Sequence, residues 1–277
     1  MRTTIFGASG LLGMALIREW PGDSVTGLSS REVDIRDANA VQKAVKETNP
    51  DWVVLAAAYT DVDGCESNRD LAFAVNRDGA LNVARAAQVI GARLLFLSSD
   101  YVFDGKKTSP YETGDRRNPQ SVYGRTKAEA EIRLLVSNPD CCIVRTSWLF
   151  GIGGKCFPDT ILKLAASRPA IDVVDDQRGS PTYAEDLARV IIQLCRKNAH
   201  GIVHATGAGD CTWFEFAQEI VRQAELPAMV RPVSSTQMAR PAPRPAYSVL
   251  SPASLNSFGI EMPSWRDALQ RYLKARG

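Results

Sequence analysis

The chain has 277 residues, of which 45% are hydrophobic and 23% are charged, and its formal net charge is +2. This length suits one large α/β domain, or one with a smaller lobe attached. Because the basic residues are scattered, neither a nucleic-acid nor a membrane partner is indicated. No segment approaches the roughly 20 apolar residues that span a bilayer, so we expect a cytoplasmic protein.

Short β-rich runs alternate with longer helical patterns along the chain. Strands are predicted at residues 3–6, 24–28, 51–58 and 92–99, in "CCIVRTSW" and in "GIVHAT". Helices are predicted in "LLGMALIREW", at 37–49 with Asp37 as N-cap, in "LAFAVNRDGALNVARAAQVI", after an Asn118–Pro119 start, and at 185–197. Runs such as 51–58 lack polar alternation, which is typical of strands covered on both faces. The pattern predicts an α/β fold with a Rossmann-like, doubly wound parallel sheet.

The sequence pattern changes after residue 147, where glycine and proline become frequent between helical segments. Glycine and proline punctuate the segments "GIGGKCFPD", "DDQRGSPT" and "RPAPRPAYS". We predict a dinucleotide-binding domain at 1–147, to which 185–206 returns. Residues 148–184 and 207–277 are predicted to form a smaller C-terminal substrate-binding lobe.

The cysteines and histidines give no sign of a metal site. The six cysteines form no C-x-x-C pair, and Cys141 and Cys142 lie in a predicted strand. The two histidines flank another predicted strand. Buried, reduced thiols are therefore expected rather than a disulfide framework or a zinc site.

The segment "FGASGLLG" places Gly7, Gly10 and Gly13 directly after the first strand, where the first helix opens. Glycine lets the backbone turn sharply and lets a pyrophosphate approach without a Cβ in the way. The helix N-terminus supplies unpaired N–H groups and a partial positive charge. This context, within a βαβ pattern, predicts dinucleotide binding.

The end of the second predicted strand bears on which dinucleotide binds. A carboxylate there would accept from the ribose 2′-hydroxyl and favour NAD, but the sequence reads "GLSSREVD". Ser29, Ser30 and Arg31 suit a 2′-phosphate, Arg31 through a charge-assisted contact, and Asp34 lies further on, towards the adenine. We favour NADP; NAD, with Arg31 as an ordinary loop residue, stays open.

A helix in "YGRTKAEAE" would place Tyr123 and Lys127 on one face, four residues apart. Alone, this spacing also fits a solvated helix. The strand "LLFLSSDYVFDG" ends in Ser98, Ser99 and Asp100, at the sheet edge where ligands of open α/β sheets bind. A serine donor and a tyrosine acid beside a hydride donor suffice for ketone reduction, and a nearby ammonium is expected to lower the tyrosine pKa.

Eight motifs in this order resemble the extended short-chain dehydrogenases/reductases, and within them the dTDP-4-dehydrorhamnose reductase family. They are "GASGLLG", "VVLAAAYTDVDGCE", "FLSSDYVFDG", "NPQSVYGRTKAEAE", "RTSWLFG", "DQRGSPTYAEDLA" and "RPAYSVLS" with "PSWRDAL". The resemblance covers residues 5 to 269 and implies reduction of dTDP-4-dehydro-L-rhamnose to dTDP-L-rhamnose, with a nucleotide-diphosphate sugar as substrate.

The resemblance also implies roles for individual residues. Tyr123 would protonate the C4 oxygen of the sugar, Lys127 would hold the nicotinamide ribose and lower the Tyr123 pKa, and Ser99 would donate to the ketone. Asp100 and Trp148 would contact the sugar, Trp148 as a flat face, and Arg244 would meet the diphosphate. The cofactor would be lined by Gly10, Leu11, Leu12, Asp34, Ala58, Tyr59 and Thr60. Asn76 is expected to be a buried hydrogen-bonding brace.

Two other functions stay open. An epimerase or dehydratase of nucleotide sugars uses the same tyrosine and lysine but keeps its nicotinamide bound. A non-catalytic, dinucleotide-binding regulatory subunit resembles the same branch, although the intact Ser99, Tyr123 and Lys127 argue against it. The sequence leaves the oligomeric state open, including a homodimer.

Overall fold

Six parallel strands form the central sheet in the computed structural model of the protein, which describes residues 1–20 and 24–276. The strands of this sheet and of three small ribbons are β1 (Thr3–Phe6), β2 (Val25–Leu28), β3 (Trp52–Leu55), β4 (Arg93–Ser99), β5 (Cys142–Thr146), β6 (Leu149–Phe150), β7 (Ala170–Val174), β8 (Arg178–Gly179), β9 (Thr182–Tyr183), β10 (Gly201–His204), β11 (Cys211–Thr212) and β12 (Met229–Val233).

The helices pack on both faces of this sheet and form much of the C-terminal part. They are α1 (Leu11–Glu19), α2 (Ala38–Thr48), α3 (Val62–Ser67), α4 (Arg69–Phe73), α5 (Ala80–Val89), α6 (Val122–Ser137), α7 (Phe157–Ser167), α8 (Ala184–Arg196), α9 (Trp213–Gln223), α10 (Ala253–Asn256) and α11 (Trp265–Arg276), with a π-helix at Ala74–Gly79 and a 3-10 turn at Asp100–Val102.

The strand order in the central sheet is β10-β5-β4-β3-β1-β2, and every neighbouring pair is parallel. The chain moves outward from β1 to β2, then crosses back to β3 and continues in the other direction. The winding therefore reverses between β1 and β3, the place where ligands of such sheets bind. The predicted fold class is confirmed.

Successive residues of the buried strands pack into two different cores, as strand geometry requires. In β3, Val54 joins the core under α1 and α8, whereas Val53 and Leu55 join the core under α2, α5 and α6. All four residues of β3 are buried. Helices on both faces thus explain the uninterrupted apolar runs of the sequence.

A third core lies in the C-terminal part of the chain, where Phe150, Ile161, Phe216 and Trp265 pack together. It is separate from the two cores of the sheet. Residues 185–206 contribute β10 to the sheet and pack α8 against α1. The division into two lobes, with the predicted boundaries, stays a prediction.

Helix α6 begins later than the sequence predicts. Its N-cap is Ser121, whose hydroxyl accepts from the backbone N–H of Gly124 at 3.1 Å. Asn118 is engaged elsewhere, because its amide donates to Asp104 at 3.0 Å. The predicted Asn118–Pro119 start is therefore wrong, whereas Asp37 caps α2 as predicted.

All six cysteines are free thiols; five of them are buried and Cys156 is half-buried. Across 1–20 and 24–276, no helix combines the length and the apolar character needed to cross a bilayer.

Candidate active site

A cavity of about 900 Å³ opens where the winding of the sheet reverses. The glycine turn forms one end, the ends of β3 and β4 form the floor, and α6 forms a side wall. Of the site residues predicted from the sequence, those in its wall are Gly7, Gly10, Leu11, Leu12, Gly13, Ser30, Asp34, Ala58, Thr60, Ser99, Asp100, Tyr123, Lys127 and Trp148.

The glycine turn is built so that no side chain fits at two of its positions. Gly7 has φ 90°, and a Cβ there would lie 2.5 Å from the backbone nitrogen of Ala57. A Cβ at Gly13 would lie 2.1 Å from the carbonyl oxygen of Gly7. Gly10 caps α1 without a side-chain hydrogen bond, and the first turn holds no acidic residue. The N–H groups of that turn are left for an anion, which fits the pyrophosphate of a dinucleotide.

Beyond β2, the cavity wall contains Ser30, Asp34 and Arg36, but neither Ser29 nor Arg31. The Ser29 hydroxyl donates to Glu32 at 2.7 Å. Arg36 donates from Nε to both carboxylate oxygens of Asp34, at 3.0 and 2.9 Å. This hydrogen bond lowers the pKa of Asp34. The sequence reasoning missed Arg36, although a basic residue two positions after Asp34 was a signal for it.

Past the end of β3, Ala58 and Thr60 line the cavity while Tyr59 lies outside its wall. The side chain of Asn76 bonds the backbone of Tyr59 twice, accepting from its nitrogen at 2.7 Å and donating to its oxygen at 3.0 Å. It also donates to the Thr126 hydroxyl at 3.1 Å. Asn76 is therefore the buried brace that was predicted, and it ties α6 to the carboxyl edge of the sheet.

Tyr123 and Lys127 both face the cavity from α6. The buried Lys127 ammonium donates to the carbonyl oxygen of Leu97 at 2.8 Å and lies 4.7 Å from the centre of the Phe96 ring. Burial lowers the pKa of Lys127 to about 8, and the Glu131 carboxylate acts in the opposite direction. The solvated-helix interpretation of these two residues is therefore wrong.

Ser99 and Asp100 form a buried pair at the end of β4. The Ser99 hydroxyl donates to Asp100 Oδ1 at 2.8 Å and accepts from the backbone nitrogen of Tyr101 at 3.2 Å. Burial raises the pKa of Asp100 to about 6, and the Ser248 and Ser99 hydroxyls offset part of the increase. The carboxyl therefore titrates near neutral pH.

The pKa of Tyr123 is raised rather than lowered. Burial is the main cause and the Asp100 carboxylate the next, while the Ser99 hydroxyl acts against them. The lowering expected from Lys127 is therefore wrong for this state of the protein, in which the Lys127 ammonium donates to the carbonyl oxygen of Leu97. Tyr123 is consequently held in its protonated form.

Comparison with known proteins places this geometry in a family. A family model described as the RmlD substrate binding domain matches residues 1–276. The spore coat polysaccharide biosynthesis protein SpsK of Bacillus subtilis is 39% identical over 99% of this chain and 98% of its own length. The dTDP-4-dehydrorhamnose reductase of Mycobacterium tuberculosis (strain ATCC 25618 / H37Rv) is 41% identical over 99% of this chain and 93% of its own length. The chain belongs to the RmlD family.

A solved RmlD relative has nearly the same fold. The crystal structure of dTDP-4-dehydrorhamnose reductase from Bacillus anthracis, in complex with NADP, superposes with a TM-score of 0.97. It is 38% identical and covers 99% of each chain. The resemblance stated from the eight motifs is confirmed.

Within this RmlD protein, Trp148 does not offer a flat face to a sugar. One face of its indole stacks on Trp213 at a centroid distance of 3.5 Å and an interplanar angle of 6°. The ring also lies against Gly179, where a Cβ would come within 2.6 Å of the indole Cε2. That expectation is wrong because Trp213 covers one face of the ring and Gly179 lies against it at Cε2 and Nε1.

Arg244 lies outside the cavity wall. Its guanidinium donates to both oxygens of Asp63, each at 2.9 Å, and to the carbonyl oxygen of Ala242 at 2.8 Å.

Lys155 and Trp213 line the cavity but were not predicted from the sequence. No local pattern marks either of them, since only the packing of the C-terminal part brings them to the sheet edge.

Proposed function

We propose that the protein reduces the C4 ketone of a dTDP-linked 6-deoxy-4-keto sugar with NADPH, and that it converts dTDP-4-dehydro-L-rhamnose to dTDP-L-rhamnose. The observation that carries this proposal is the gathering of Ser99, Tyr123 and Lys127 in one cavity with the glycine turn. The family of NAD(P)-dependent reductases to which the chain belongs supports the same reaction.

Each residue of the site has a separate role in this reaction. NADPH, when bound, supplies the hydride. The N-terminus of α1 holds the pyrophosphate, and Lys127 holds the nicotinamide ribose. Tyr123, which is protonated at neutral pH, gives its proton to the C4 oxygen as the hydride arrives at C4. Ser99 orients the ketone by a hydrogen bond, which requires its hydroxyl to turn from Asp100.

The cofactor is NADP, and we propose that Arg36, rather than Arg31, contacts its 2′-phosphate. Arg36 lies in the cavity wall with Ser30, whereas Arg31 does not. Its pairing with Asp34 also neutralises the carboxylate that would otherwise repel a phosphate. NADH stays a possible second cofactor, because Asp34 is still close to the site.

The decisive experiment is a turnover assay with dTDP-4-dehydro-L-rhamnose, following both NADPH and product. Tyr123→Phe is expected to lower kcat at least about a hundredfold, the lower range for a general acid. Tyr247→Phe is the matched control, because Tyr247 lies outside the cavity wall.

One NADPH consumed per product identifies a reductase, whereas product without consumption identifies an epimerase or dehydratase. No turnover by the wild type contradicts the proposal and revives the regulatory-subunit alternative. Equal rates in Tyr123→Phe and the wild type would overturn the role of Tyr123.

We also propose a cytoplasmic location, which the six free thiols support because reduced cysteines are usual there. Light scattering would distinguish a monomer from the homodimer that the sequence leaves open.

A further inference from the structure

The two residues that pack against Trp148 are joined by one small ribbon, formed by β8 and β11. Gly179 ends β8, which pairs antiparallel with β11 so that Gly179 lies opposite Cys211. Trp213 follows β11 directly and is the first residue of α9. The two residues that pack against the Trp148 indole are therefore fixed relative to each other by strand pairing.

Further bonds keep this ribbon in place. Thr212 caps α9 in a capping box, with its hydroxyl accepting from Glu215 N at 3.1 Å and its own N–H donating to Glu215 at 2.7 Å. Arg178 pairs with both Asp210 and Glu215 across the ribbon. The slot between Gly179 and Trp213 is thus preformed.

The backbone of Trp148 is strained. Its φ is 47°, in the left-handed region that a bulky residue rarely adopts. Such a conformation persists only where the surroundings enforce it, and it is concentrated at functional sites. The slot supplies this enforcement, since a Cβ at Gly179 would lie 2.6 Å from Cε2 and 2.7 Å from Nε1 of the indole.

We propose that Trp213 and Gly179 are positioning residues, which clamp Trp148 so that the edge of its indole faces the sugar end of the cavity. The inference rests on the proposed function. The edge of an aromatic ring carries the positive end of its quadrupole. A fixed edge therefore suits the oxygens of a 4-keto sugar, and the stack lets the C-terminal part of the chain set the position of the sugar beside Tyr123.

A spectroscopic experiment tests the clamp without any ligand. Two indoles stacked at 3.5 Å couple electronically, and a twist between their transition dipoles within the parallel planes gives an exciton couplet in the far-ultraviolet circular dichroism. We expect Trp213→Leu to abolish the couplet and Gly179→Ala to weaken it. Phe214→Leu and Gly114→Ala are matched controls that keep it, since Phe214 is the next residue of α9 and lies outside the cavity wall, and a Cβ at Gly114 meets no atom within 4 Å.

A kinetic experiment tests the consequence for the sugar. In Trp213→Leu and Gly179→Ala, KM for the nucleotide sugar is expected to rise about tenfold, the size that a lost aromatic pair allows. The Kd for NADPH is expected to be unchanged. Trp213→Phe keeps an aromatic ring against Trp148, so its KM is expected to stay near that of the wild type although the couplet is lost. This variant keeps the experiment decisive if Trp213→Leu unfolds.

The outcomes separate the two proposals. If the wild type and Phe214→Leu reduce the sugar and Trp213→Leu matches them in KM, this inference falls and the proposed function stands. A couplet that survives Trp213→Leu also overturns it, because the stack would then not exist. If the wild type itself fails to reduce the sugar, the proposed function falls and the positioning role falls with it.

Discussion

Asp100 and Lys127 show how burial acts on single residues of this site. Burial raises the pKa of the Asp100 carboxyl to about 6 and lowers the pKa of the Lys127 ammonium to about 8. Both shifts favour the uncharged form, as desolvation does. Each group therefore changes charge much closer to neutral pH than an exposed counterpart would.

Asp100→Asn is expected to raise the free energy of unfolding of the protein while lowering its catalytic activity. The folded pKa of about 6 exceeds the ordinary value of 3.8, so the contribution of Asp100 to stability is present below pH 3.8 and is lost as the pH rises through 6. Replacing the buried charge should raise the free energy of unfolding by about 3 kcal/mol at neutral pH. Urea unfolding at several pH values measures this gain, which should vanish as the pH falls towards 3.8.

Asp115→Asn is the control with the opposite sign. The hydrogen bond from Lys107 lowers the pKa of Asp115, so the variant should lose stability at neutral pH, and the loss should fade in acid. A gain in Asp100→Asn that is the same at every pH would contradict the pKa as its cause.

At the scale of elements, the site is assembled from segments that follow parallel strands. The glycine turn follows β1, the Ser30–Arg36 segment follows β2, and the Ser99–Asp100 pair ends β4. Behind this edge, Glu131 of α6 joins β4 and β5 by accepting from Ser98 at 2.5 Å and pairing with Arg145 at 2.6 Å. This fully buried pair sets the register of α6, and hence of Tyr123 and Lys127, against the sheet.

The segment after β2 is expected to set the cofactor preference through Arg36. In Arg36→Ala, the KM for NADPH should rise about tenfold, because a charge-assisted contact at an exposed position is lost. The KM for NADH should change little, because NADH has no 2′-phosphate. Initial rates with both cofactors measure the difference.

Arg31→Ala is the matched control and should behave as the wild type. The opposite pattern, with NADPH weakened by Arg31→Ala alone, would restore the role that the sequence suggested for Arg31.

At the scale of the molecule, one cluster fastens the segment 240–244 to α3. Asp63 pairs with Arg244 and Arg240 and accepts from the backbone nitrogen of Ala242 at 3.1 Å. The hydrogen bond from Arg244 is the main cause that lowers the pKa of Asp63. The cluster therefore contributes stability at neutral pH that is lost as the pH falls through the lowered pKa of Asp63.

Asp63→Asn is expected to loosen residues 240–248 locally. Amide hydrogen exchange there should accelerate at least about tenfold while exchange in β1 and β3 is unchanged, since local opening leaves the main core intact. Asp172→Asn, which breaks the exposed pair with Arg231, is the control and should leave residues 240–248 protected. Uniform acceleration over the whole chain would show that the cluster supports global rather than local stability.

The sequence predicted what depends on local spacing. Gly7, Gly10 and Gly13 lie within seven residues, and Tyr123 and Lys127 within one helical turn, so their patterns are visible without the fold. The stack of Trp148 on Trp213 joins residues 65 positions apart and leaves no local trace. The start of α6 was mistaken for a similar reason, because the side chain that could have capped it, Asn118, is bound to Asp104.

The π-helix between α4 and α5 limits how the length of this chain can change during evolution. A π turn accommodates one residue more than an α turn, and Asn76 lies within it. Deleting one residue here would convert the π turn into an α turn and would keep α4 and α5 in register. The residues within the turn would be redistributed, so Asn76 would leave Tyr59 while Val83 stayed in the core of the sheet. Descendants of this enzyme can therefore lose a residue in this stretch only together with the Asn76 brace.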